Sequence, residues 1–211
     1  MEPKKSTRGA SERDEWLRVA WRVMVAATLD ARRLVFVDEM GSNNIALAPL
    51  YAYDAPKGER AYSKVPRNRG KNTTLIASMT FCEGMGESNH LVMEGGTTKA
   101  VFEGYVEDFL APTLREGQIV IMDNLKAHKG ERVRELIEAR GCEVMFLPAY
   151  SPDLNPIEEA FSKIKGILRE AAARTREELV ETISEALSKV TVRDARGFFG
   201  HCGYHLVDQC L

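Results

Sequence analysis

The stretch LPAYSPDLNPIEEAFSKIK, Leu147 to Lys165, sets three prolines within nine residues ahead of a helical pattern that opens with two adjacent glutamates. Each proline fixes its own φ, so the approach to the helix is stiff. Asn155 suits the N-cap and Pro156 the first helical position. Ile157, Phe161, Ile164 and Leu168 recur at the spacing of a buried helical face. Glu158, Ser162, Lys165 and Arg169 repeat that spacing one position later, along the edge of the face. At about 100° per residue, Glu159 falls about 200° from Ile157, toward solvent. Glu158 is therefore the acid that a rigid helix start can aim into a site. Two plainer readings stand beside this one. Glu158 can close a capping box onto Asn155, and either glutamate can simply favour the positive end of the helix.

Upstream, two segments share a design. RRLVFVDE runs apolar into Asp38 and Glu39, and GQIVIMDN runs apolar into Asp123. Both read as buried strands that end in an acid. In open α/β sheets functional groups gather at the carboxyl ends of neighbouring strands, so a parallel pairing of these two would bring Asp38 and Asp123 to one ion. The alternative is that each aspartate only starts a turn. TTLIASMTF and HLVMEG read as further strands separated by the turn signal EGMGESN. TTKAVFEGYVEDFLAPTL reads as a helix with Val101, Phe102, Tyr105 and Phe109 inward and a stop near Pro112. ERVRELIEAR reads as a helix stopped at Gly141, and CEVMFL as a short strand. After the helix that begins near Asn155, another opens at Thr175 with Glu178 in capping-box spacing. The order predicts an α/β domain, a mixed sheet with helices on its faces. Residues 1–30 read as an arm and a short helix with Trp16, Val19, Ala20 and Val23 on one face, and residues 31–211 as the main domain.

Of the 211 residues, 44% are hydrophobic and 28% charged, enough for a core and a solvated exterior. No apolar run approaches a membrane span, and the charged N-terminus MEPKKSTRGASERDEW lacks a secretory signal. Cys82, Cys142, Cys202 and Cys210 are scattered and form no CxxC pair, which suits a reducing cytosol. The formal net charge of −2 does not advertise a polyanion partner. Its distribution is uneven: in the segment 57–71, Lys57, Arg60, Lys64, Arg67, Arg69 and Lys71 stand against Glu59 alone. It is either a solvated loop or a patch for backbone phosphates. HCGYH, with His201, Cys202 and His205, has a metal-like flavour but no fourth partner.

LVFVDE, IVIMDNLKAHKG and LPAYSPDLNPIEEAFSKIKGILR together resemble the catalytic domain of the insertion-sequence 630 family of transposases, bacterial relatives of the mariner group. The 34 residues between Asp123 and Glu158 match that family's interval, and the likeness extends over roughly residues 33 to 205. It implies a ribonuclease-H-like fold with an Asp-Asp-Glu triad of Asp38, Asp123 and Glu158. It also implies two divalent ions, Mg2+ or Mn2+, that support cutting of DNA and joining of the cut end elsewhere. Three clustered carboxylates would repel one another without a cation, and hard oxygen ligands favour these metals over zinc. Through the resemblance His128 becomes a candidate orienting group near Asp123, together with Asn124; a plain surface or capping histidine is the other reading. The segment 57–71 falls where the family carries an insertion near DNA, and Lys165 and Arg169 extend the positive edge beside Glu158. The same ending in the family favours ordinary packing for HCGYH.

Full-length members carry helix-turn-helix modules ahead of the catalytic domain, and about 30 residues before the first strand are too few for them. The expected partners are DNA, a second copy of the chain on DNA, and a separate DNA-binding chain for end recognition, in the cytoplasm at the nucleoid. The competing expectation is a non-catalytic DNA-binding or assembly module that regulates a full-length transposase. A general ribonuclease-H-like nuclease shares the chemistry and differs only in substrate.

Overall fold

Five strands and six α-helices make up the computed structural model, which describes residues 13–42, 72–86 and 89–207. In chain order these are α1 (Glu15–Trp21), β1 (Leu34–Ser42), β2 (Thr73–Thr80), β3 (His90–Glu94), α2 (Lys99–Tyr105), β4 (Ile119–Met122), α3 (Glu131–Glu138), β5 (Glu143–Phe146), α4 (Pro156–Ala171), α5 (Arg176–Ser188) and α6 (Val192–His201). The sheet order is β3-β2-β1-β4-β5. β1 pairs antiparallel with β2 and β2 with β3, whereas β1–β4 and β4–β5 are parallel. This is the expected mixed sheet with helices on both faces, the ribonuclease-H-like fold. The basic segment with Lys57, Arg60, Lys64, Arg67, Arg69 and Lys71 lies outside the described residues, as does Cys210.

Strand alternation sorts the two faces. Leu34, Phe36 and Met40 of β1 join a core made with α4, α5 and α6. Val35 and Val37 join a second core with Phe102 and Tyr105 of α2 and Val133 and Ile137 of α3. By the same alternation Asp38 faces the α4 side and Glu39 the opposite side. Ile157, Phe161, Ile164 and Leu168 are all buried, so the expected inner face of α4 is the observed one. The capping box of Thr175 and Glu178 on α5 is also present. A second one, Thr191 with Asp194, opens α6; that helix was not anticipated, although its T-x-x-D spacing carries the signal.

Two expectations about local structure fail. β1 does not stop at its acids but continues to Ser42, held by β2 as far as Thr73. Only its parallel pairing with β4 ends, at Val37 opposite Met122. The face assigned to α1 is also wrong. Trp16 is 86% exposed, Val19, Ala20 and Val23 are exposed too, and the buried residues are Arg18, Trp21 and Val25. The reason is a set of long-range polar anchors. Arg18, 1% exposed, donates from both terminal nitrogens to Asp153 at 2.9 and 2.6 Å. The Trp21 indole donates to the Tyr204 hydroxyl at 2.8 Å, which donates in turn to the Leu154 carbonyl at 2.7 Å. These bonds clamp α1 onto the proline-rich run that leads into α4, and they turn the apolar stripe outward.

Candidate active site

The end of the β1–β4 ladder creates the site. Val37 sits opposite Met122, so the next residues, Asp38 and Asp123, emerge side by side where the two strands part company. α4 approaches from the sheet face that Asp38 points toward. Asp38, Asp123, Glu158, Asn124 and Asn155 line one cleft of about 330 Å³, walled by the loop from Leu147 to Pro152. The three acids picked from sequence are thus brought together. Tyr150, at φ 53°, stands half exposed at the lip of the cleft.

The stiff approach to α4 does not work as a simple cap. Asn155 occupies the N-cap position, but its side chain makes no capping bond. The expected cap is corrected: Nδ2 donates instead to Asp38 Oδ2 at 2.7 Å, a partner 117 residues away. Nor does Glu158 close a capping box; its own backbone N–H reaches only the Asn155 carbonyl, at 3.1 Å. The carboxyl of Glu158 is left free to face the cleft. Glu159 points to the other side of α4 but not into open solvent as the wheel implied. Its Oε1 lies 2.5 Å from His201 Nδ1 and beside the buried Cys202. His201 and His205 are exposed, and Cys202 and Tyr204 pack in the core, so HCGYH is a packing segment.

Asp38 is 7% exposed. Its Oδ1 accepts from the Glu39 backbone N–H at 2.7 Å. Burial pushes its carboxyl up from the usual range to about 7; the Glu39 N–H opposes that, and the charges of Glu158 and Asp123 add to it. The charges that act on Asp38 are all those of neighbouring carboxylates.

Asp123 lies at the mouth, with Oδ1 accepting from the Leu125 N–H at 3.1 Å. Behind it stands His128, buried under the Phe102 ring at a centroid distance of 4.1 Å. His128 Nδ1 lies 2.6 Å from Asp123 Oδ1, and Nε2 lies 3.2 Å from Glu39 Oε1. Both contacts are bent off the ring N–H directions, so they are ion-pair contacts and not straight hydrogen bonds. Burial alone would lower the imidazole; the Asp123 and Glu39 carboxylates outweigh it and raise it to about 9. A charged His128 thus joins the two sheet faces, and the surface-histidine reading falls. The role of Glu39 as its partner was not foreseen, although strand alternation places it on that side. Asn124 is exposed at the rim of the cleft.

Among the described residues no three His, Cys, Asp or Glu side chains close around a metal ion by themselves. The acids form an open set of hard oxygen donors along one wall of the cleft, with Asn155 Oδ1, a buried acceptor without a partner, beside them. Such a set fits Mg2+ or Mn2+, which take a few carboxylates and fill the remaining positions with water and substrate oxygens. Lys165 and Arg169 lie half-buried on the Glu158 side of α4, and among the described residues neither forms an ion pair.

Comparison with known proteins adds to this geometry. Residues 33–180 match the family described as DDE superfamily endonuclease. No curated protein matches in sequence. Among solved structures, the Mos1 mariner paired end complex with Mn superposes with a TM-score of 0.74 at 20% identity, covering 96% of this chain and 64% of that one. The Mos1 strand transfer complex gives 0.74 at 21% identity, covering 96% and 63%. The Mos1 transposase catalytic domain with raltegravir and Mg gives 0.63 at 18% identity, covering 90% and 87%. The chain therefore spans somewhat under two thirds of the first two proteins. At these identities the likeness establishes the fold.

Proposed function

Because the chain belongs to the DDE superfamily of endonucleases, we propose that it is a transposase catalytic domain that cuts DNA phosphodiesters and joins the cut strand to a target. Asp38, Asp123 and Glu158 are its metal-binding acids, and the ions are Mg2+ or Mn2+, two when DNA is bound. The observation that carries this reading is the ladder ending at Val37–Met122, which sets Asp38 beside Asp123 while α4 adds Glu158 to the same cleft. When bound, the ions would supply Lewis-acid activation of the attacking oxygen and charge stabilisation of the leaving one.

The chain's own residues supply position and field. The Asp38 carboxylate is held at both oxygens, by the Glu39 N–H and by Asn155. His128 compensates the Asp123 charge from behind and is itself steadied by Glu39. Arg18, clamped to Asp153, and Tyr204, bonded to Leu154, fix the run that sets the entry angle of α4 and so the direction of Glu158. Lys165 and Arg169 offer positive charge to a DNA backbone along the same helix edge. No covalent protein nucleophile is needed, since water serves for cleavage and a DNA 3′-hydroxyl for joining. One of the Mos1 structures is a paired end complex; by analogy two copies of this chain act together on DNA.

Nicking of supercoiled plasmid in Mn2+ tests this function. Wild type nicks and Asp123→Asn, equally folded, does not. Nicking that survives Asp123→Asn refutes the assignment, and binding of DNA with no metal-dependent nicking would favour a non-catalytic assembly module.

A further inference from the structure

Asn155 has properties that capping does not explain. It stands at an N-cap position and makes no cap. It is 3% exposed, its amide nitrogen is bonded to Asp38 Oδ2, and its amide oxygen is buried without a partner. The NH2 group faces the Asp38 carboxyl, and the orphaned atom is the amide oxygen. A buried acceptor left open is destabilising unless something else fills it. A good cap has thus been given up, and an acceptor left unmatched, at the wall of the acidic cleft.

We propose that Asn155 is a positioning residue of the metal centre, which orients the Asp38 carboxylate through Nδ2 and accepts a hydrogen from an ion-bound water through Oδ1. The first contact fixes the carboxylate plane. Asp38 Oδ1 is held by the Glu39 N–H and Oδ2 by Asn155, each leaving its oxygen a lone pair for the ion. The second contact satisfies the orphan, since Mg2+ and Mn2+ retain several waters whose hydrogens seek acceptors. Because Asn155 precedes α4 directly, the same residue ties the position of Asp38 to the helix that carries Glu158. Partners of this kind in other metal sites typically change metal affinity by 10- to 100-fold.

The inference rests on Asp38 being a metal ligand, and the test separates the two. Serine caps helices well but is too short to reach Asp38, so Asn155→Ser restores a cap while removing both contacts. Mn2+ binding to DNA-free protein is measured by electron paramagnetic resonance for wild type, Asn155→Ser, Asn155→Ala and Asp38→Asn, with melting in EDTA as the control for folding. The expected result is Mn2+ affinity at least about tenfold weaker in Asn155→Ser, with its melting temperature in EDTA equal to or above that of wild type. Asn155→Ala binds as weakly. Wild-type Mn2+ affinity in Asn155→Ser with a weakened Asp38→Asn overturns the role of Asn155 alone. Unchanged affinity in Asp38→Asn overturns the metal reading and this inference with it.

Discussion

Replacing Asp38 with asparagine should make the metal-free protein more stable at alkaline pH. Asp38 is almost fully buried, and its carboxyl titrates at about 7 against an ordinary 3.8. An unfolded chain loses this proton near pH 4, and the folded one holds it until about 7. Between those values the folded state binds more protons, so stability falls as pH rises and levels off above 7. At about 1.36 kcal/mol per pK unit, the gap sets a ceiling of about 4 kcal/mol on that loss at pH 8. Asparagine removes the charge but sets an NH2 group where one carboxylate oxygen stood, facing the Glu39 N–H or Asn155 Nδ2, and losing one such bond costs about 1 kcal/mol. The net gain is about 1–3 kcal/mol at pH 8, or roughly 3–8 °C in melting temperature for a chain of this size, and it vanishes near pH 5. Thermal melts in EDTA at pH 5 and pH 8 measure it directly. Saturating Mn2+ should reverse the order at pH 8, because a ligand stabilises only the folded form that binds it. An Asp38→Asn protein that melts at or below wild type at pH 8 in EDTA would refute the crowded-carboxylate account.

Three other perturbations follow from the same geometry. Asp153→Ala leaves the buried Arg18 without its main partner; because Asp153 is 43% exposed and therefore screened, and Glu15 still touches Arg18, chemical denaturation should show a loss of about 2 kcal/mol, short of a fully buried pair. Asp194, held down to about 2 first by Lys163 and then by Thr191, closes the capping box of α6 by accepting from the Thr191 N–H, so Asp194→Ala should lose about 1 kcal/mol at pH 7. That contribution is complete above pH 4 and disappears as pH falls through 2, so urea midpoints of mutant and wild type should converge there. Lys165→Ala with Arg169→Ala should weaken DNA binding and flatten its logarithmic salt dependence by roughly two, read from fluorescence anisotropy titrations; an unchanged slope would remove that helix edge from the DNA path.

The parts of the fold that were legible in the sequence are those set by local pattern. VFV and IVIM are runs of strand formers, and the inner face of α4 follows from 3.6-residue spacing, so the parallel pair and the helix beside it could be inferred. Partners distant in the chain were not legible. Arg18 reads as a surface charge until Asp153 is found 135 residues away, and that pairing turned the apolar residues of α1 outward. Asn155 reads as a cap because local rules say so, and a carboxylate 117 residues distant prevails over the helix start. β1 outran its acids because β2 continued to pair with it, which the apolar run alone does not reveal. His128 was recognisable through resemblance, but Glu39 behind it emerged only once both strand faces were assigned to their helices.

The most direct test of the central claim compares plasmid nicking in Mn2+ by wild type, Glu158→Gln and Glu159→Gln. The two glutamates are neighbours on one helix start, yet one lines the acidic cleft and the other meets His201. The account predicts that Glu158→Gln abolishes nicking with its fold intact, while Glu159→Gln nicks like wild type. An active Glu158→Gln, or an inactive but folded Glu159→Gln, would contradict it.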